Sequence, residues 1–185
     1  MAEIENRAKE PVSAMLAGPY GHPFHPILVT VPIGAWVCSL VFDIASRVGA
    51  DQDLGVGARW LIAIGILGAL AAATVGFFDF MTIPSGTAAH RTALAHMALN
   101  LVVTAAFAAN FAWRLGGDGG RTSWGQLVLS VVSLAGLAVS GALGGKLAYH
   151  YGVRVADEQT QLTGFRPNHA SERGRTTAPI TPEER

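Results

Sequence analysis

His25 and His96 are the side chains of this sequence best suited to chemistry. His25 follows His22 by three positions in GHPFHPILVTVPIGAW, residues Gly21 to Trp36, where two His-Pro pairs open a long apolar run. His96 lies in ALAHMALN with Asn100 four positions later, so on a helix the two share a face. Asp79 closes a second apolar run, in GFFDFMTIP. A neutral imidazole presents one lone pair to a metal ion or haem iron when its other nitrogen is held, and a carboxylate is a usual holder. Two facing imidazoles suit low-spin haem iron. Two imidazoles plus a carboxylate suit zinc or another divalent ion. The candidate ligands are therefore His25 and His96, with Asp79 as orienting group or as third metal ligand. Asn100 and the carbonyl of Leu28 line the same spot, the latter freed because Pro32 has no N–H.

Four apolar segments must bring these residues together: about 27–45, 60–80, 92–113 and 124–149. Each is near the roughly 20 residues that cross a bilayer as a helix. The second, WLIAIGILGALAAATVGFF, and the fourth, GQLVLSVVSLAGLAVSGALGG, carry no charge. Helices apolar all round lie in protein or in lipid, and 185 residues are too few to bury four of them. Only 14% of residues are charged, against about 25% in soluble domains. Mean hydropathy is +0.36 because a very apolar middle is averaged with two polar ends. The expected fold is all-α: a four-transmembrane-helix antiparallel bundle over 21–155, a polar N-terminal segment 1–20, and a disordered C-terminal tail 156–185. Short loops rich in Gly, Asp, Pro and Ser make consecutive helices antiparallel neighbours.

That topology places His22, His25, Asp79, His90, His96 and His150 on one membrane side, and only His169 of the 6 histidines elsewhere. Trp60, Trp113 and Trp124 mark the opposite interface as an aromatic belt. The tryptophan side holds Arg47, Arg59, Arg114 and Arg121 of the 13 Lys and Arg residues, so the positive-inside rule puts both termini in the cytoplasm. His25 is expected to cap the first helix, Pro32 to kink it, Asp79 to pair with His96 or His25, and Asp43 to pair with Arg47 one turn on. The far half of the bundle is expected to be dry. Gly68, Ala72 and Gly76, and likewise Gly136, Ser140 and Gly144, with Gly141 and Gly145, form ridges for close helix approach or a homo-oligomer.

The motifs GHPFHPILVTVPIGAWVCSLVFD, GFFDFMTIPSGT, HMALN and GGKLAYHYGV resemble the DUF2231 family of predicted bacterial membrane proteins over about Gly18 to Val155. The resemblance carries over His25, Pro26, Pro32, Asp79, His96 and Asn100, while the last motif has His150 where relatives often have a histidine at the position of Tyr151. It implies an inner-membrane protein, and relatives joined to Rieske or cytochrome-type modules imply electron transfer with a redox partner.

The leading expectation is a membrane protein that binds haem b or a divalent metal at this cluster. The alternative is a cofactor-free structural or interaction module, and the third is an ion or proton pathway. No catalytic motif stands out, so independent catalysis is not expected. Net charge is +0, which argues against nucleic acid as a partner.

Overall fold

A computed structural model describes residues 8–11, 21–49, 53–117 and 120–165. Among them there is no strand, and four long helices have the length and apolarity to cross a membrane. They are α1 (Phe24–Arg47), α2 (Asp53–Met81), α3 (Ala88–Leu115) and α4 (Trp124–Tyr149). At about 1.5 Å per residue, the shortest of them outspans a hydrocarbon core of about 30 Å.

Local chemistry sets the ends. Ser123 and Gln126 form a capping box at the start of α4, each side chain bonding the other's backbone N–H. The Thr87 hydroxyl accepts from His90 N at the start of α3. Gly49 follows α1 with φ 99°, a left-handed conformation that a side chain would resist. α1 is interrupted at Val29, between Phe24–Leu28 and Thr30–Arg47. The break falls where Pro32 denies Leu28 its helical partner.

Only 17–28% of each apolar stretch is buried within the chain, so most of its large apolar side chains face outward, as lipid contact demands. The interior is correspondingly polar. Ser39, Asp43, Ser46, Asn110, Ser130 and Ser140 are fully buried beside Trp36, Ile62 and Phe107.

The four helices are two similar hairpins. α1 packs antiparallel on α2, with His25 opposite Ala72 and Trp36 opposite Ile62. α3 packs antiparallel on α4, with His96 opposite Ser140 and Asn110 opposite Gln126 and Ser130. Facing residues of α1 and α3 recur at one interval. Asp43 meets Arg114 across 71 positions, and the same interval relates 25 to 96 and 36 to 107, whose rings also meet. Glycines follow suit: Gly68 and Gly76 of α2 pack on α1 as Gly136 and Gly144 of α4 pack on α3. This is a parallel repeat with its pseudo-two-fold axis running along the bundle.

Residues Met1–Val155 form one unit and Ala156–Arg185 another. The tail expected to lack structure contains a short helix, α5 (Glu158–Thr163), while 166–185 lie outside the described residues, as do 1–7 and 12–20 of the N-terminal segment. Asp157 caps α5, and hydrogen bonds from Thr160 hold its carboxyl below the usual carboxylate range. A depressed folded-state value means that the cap acts above the ordinary aspartate pKa of about 3.9 and is lost as pH falls through the folded value.

Candidate functional site

His25 and His96 meet at one end of the bundle. Their ring centroids are 6.3 Å apart and their planes cross at 85°. Each ring is held by the second helix of its own hairpin. His25 Nδ1 lies 2.9 Å from the carbonyl of Ala72, and His96 Nδ1 lies 2.9 Å from the carbonyl of Ser140, with the Ser140 hydroxyl at 3.0 Å. A carbonyl only accepts, so both Nδ1 atoms carry the proton and donate it. In the neutral ring this leaves the Nε2 lone pair, the tautomer of a metal-binding histidine whose other nitrogen is tied to a backbone oxygen.

Glycine makes room for both rings. A Cβ on Gly76 would stand 2.8 Å from His25 Nδ1 and Cε1, and one on Gly144 would stand 3.1 Å from His96 Cε1. Each glycine lies one turn beyond the carbonyl that its histidine contacts. Gly76→Ala should therefore push His25 off Ala72 and lower stability by about 1–3 kcal/mol, the usual cost of overpacking. Gly144→Ala, with the looser contact, should cost less. Thermal unfolding of the two variants in detergent compares them, and equal losses would contradict this seating.

Asn100 Nδ2 donates to the carbonyl of His96 at 3.0 Å. It also lies 3.1 Å from His96 Nε2 and 3.4 Å from Nδ1. A donor on the lone-pair axis of one ring nitrogen cannot be nearly as close to the other. The amide therefore sits over the ring face and leaves the Nε2 lone pair open.

Asp79 does not bond either histidine. Its carboxylate pairs with Arg154, Oδ1 lying 2.9 Å from Nε, although it stays within electrostatic reach of His25. In the sequence Arg154 counts only toward the Lys and Arg bias, and nothing there marks it as the partner of Asp79. Nor does His25 cap its helix: Pro23 is the cap position, and His25 lies inside the first turn. His22 and His150 are exposed, His150 lying edge-on to Tyr151, and His90 packs on Phe80 at 4.8 Å. Among the described residues, no three His, Cys, Asp or Glu side chains are grouped to hold a metal ion.

The far end of the bundle is not dry, contrary to expectation. Asp43 pairs with Arg114 rather than Arg47, Nη1–Oδ1 being 2.7 Å and Nη2–Oδ2 2.8 Å. Asn110 accepts from Arg114 Nε at 2.9 Å and donates to Ser130 and to the Gln126 carbonyl, while Thr122 donates to Asp43. Arg47 instead donates to the Thr122 carbonyl at 2.7 Å and stacks over Trp124. A cavity of about 390 Å³ opens here between Arg59, Arg114, Arg121 and Gln126. In the middle, the Trp36 and Phe107 rings stack at 4.2 Å and 11°, separating this network from the histidine end.

A repeat test could have found what was missed. The interval of 71 that joins the histidines also joins Asp43 to Arg114, an acid to a base, and the two glycine ridges repeat at 68 and 136, 72 and 140, 76 and 144. Among the expected small-residue ridges, those two turn inward, whereas no atom lies within 4 Å of a Cβ built on Gly141 or Gly145.

The chain belongs to the DUF2231 family, described as predicted membrane proteins, whose profile matches residues 21–157. No curated protein and no solved structure matched the sequence.

Proposed function

We propose that this DUF2231 membrane protein binds haem b between His25 and His96 and passes single electrons to a redox partner. The observation that carries the reading is the crossed imidazole pair, with centroids 6.3 Å apart and each Nδ1 already bound to a backbone carbonyl. The donor set fits the group. His25 and His96 would hold it, each with Nε2 as the nitrogen left once Nδ1 is bound to a carbonyl. Haem iron would need only these two ligands from the protein. A divalent ion usually takes three or four protein ligands, and Asp79, the third candidate, is engaged by Arg154.

When bound, haem supplies a reversible one-electron couple. The chain's own part is to fix both rings through Ala72 and Ser140, to keep Gly76 and Gly144 clear of them, and to hold them at one membrane face. The Lys and Arg bias supports a cytoplasmic position for that face and both termini.

The rival reading is a structural clamp. It rests on the same two hydrogen bonds, which join the helices of each hairpin without any ligand. Absorption spectra of detergent-purified protein, expressed with haem supplementation, separate the two. Under the haem reading the wild type carries haem with a low-spin Soret and α-band spectrum, and His25→Ala or His96→Ala removes that spectrum. Wild-type protein that folds yet takes up no haem would favour the clamp.

A further inference from the structure

Among the described residues, Arg114 and Arg154 both pair with carboxylates through side chains only 6% exposed, and they are not alike. Arg114 meets Asp43 with two parallel contacts and gives its Nε to Asn110, so every nitrogen of its guanidinium has an acceptor. Arg154, with a side chain 6% exposed, lies against Asp79 with Nε 2.9 Å from Oδ1. Its Nη1 reaches the Lys9 carbonyl at a long 3.4 Å, and its Nη2 has no hydrogen-bond partner among the described residues. A guanidinium withdrawn from water with unused donors is costly and uncommon in native proteins.

The backbone is also held against its preference. Arg154 has φ 58°, in the left-handed region that a residue with a Cβ avoids. Its N–H bonds the Ala8 carbonyl at 3.0 Å, which fixes the conformation and directs the side chain toward Asp79. The guanidinium stands beside a carboxylate that also senses His25. Asp79 lies one helical turn beyond Gly76, the glycine that seats His25, so the guanidinium it pairs with is held about a turn past that ring, and its unused donors fit an incoming carboxylate.

We propose that Arg154 receives a carboxylate of the ligand held at His25 and His96, which under the haem reading on which this rests is a porphyrin propionate. A two-oxygen carboxylate suits the place better than a single neutral acceptor, because the weakly used Nη1 and the unused Nη2 form a parallel fork that takes both oxygens. Arg154 is thus a ligand-binding residue of the site, and Asp79 holds it in place.

The test compares haem b with its dimethyl ester, whose propionates are neutral, in titrations of the full-length protein in detergent. Wild type should bind the free acid at least about tenfold more tightly than the ester, the gain expected of one charge-assisted pair. Arg154→Gln should bring the two affinities together while the two-imidazole spectrum persists. Should Arg154→Gln fail to fold, Arg154→Lys replaces it and should retain part of the preference. Equal affinities in the wild type, or a preference unchanged in Arg154→Gln, would overturn the proposal and leave the haem reading standing. A wild type that takes up neither porphyrin would overturn both.

Discussion

Arg114→Ala should lower stability by about 3–5 kcal/mol, the cost of leaving one member of a buried ion pair alone. Asp43 is fully buried, and without the guanidinium its two carboxylate oxygens keep only the Thr122 hydroxyl. Asn110 loses the donor to its Oδ1 as well. Asp43→Ala should be comparably severe, since it strands the arginine. Replacing both by apolar residues of similar size, Asp43→Leu with Arg114→Met, should recover much of the loss, because no bare charge remains. Equilibrium unfolding in mixed micelles gives the double-mutant cycle. Additive single losses, with no recovery in the double variant, would show that the pair is not coupled as its geometry implies.

Gly65→Val should be the most damaging change in the middle of the bundle. A Cβ at Gly65 would overlap the Trp36 indole, with Cδ1 at 2.5 Å and Cε2 at 2.8 Å. The indole has no free side to move toward. It is 1% exposed, stacked on Phe107 and bonded through Nε1 to the Ile62 carbonyl. Overpacking and the lost ring stack together should cost about 3 kcal/mol. Trp60, Trp113 and Trp124 are all exposed, so Trp36 is the indole whose fluorescence reports the interior. In Gly65→Val its emission should move toward that of a solvated ring. A variant with wild-type emission and stability would mean that Trp36 does not occupy this slot.

Much of this architecture could be read from the chain. Four uncharged or nearly uncharged runs, broken by Gly-Asp and Pro-Ser-Gly turns, require membrane helices whatever their tertiary arrangement. Antiparallel order then brings His25 and His96 to one end, and they are in fact neighbours. Partner choice was not legible. Asp43 has Arg47 one helical turn away, and local spacing favours that pair. A buried carboxylate instead takes the bidentate partner that the fold delivers from 71 positions on. For Asp79 topology favours the histidines at the same end, whereas the segment after α4 supplies Arg154. The polar interior was missed because serines and one asparagine within apolar helices look incidental in sequence. In lipid these side chains turn inward, where helices hydrogen-bond one another.

The hairpin repeat unites these findings. Equivalent positions of α1 and α3 face each other at both ends of the bundle and in its middle. At one end the pair is an acid and a base, which neutralise each other. At the other it is two like imidazoles, each held by a carbonyl of its own hairpin. The first pair is complete as it stands, and in the second each ring keeps one nitrogen, Nε2, beyond its carbonyl contact.

Low-temperature electron paramagnetic resonance of the oxidised, haem-supplemented protein tests the shared histidine site most directly. A low-spin ferric signal from two imidazoles is expected, with the strong anisotropy of ring planes set crosswise near 85°, lost in both His25→Ala and His96→Ala. A high-spin signal in the wild type, or a low-spin signal that survives either substitution, would contradict it.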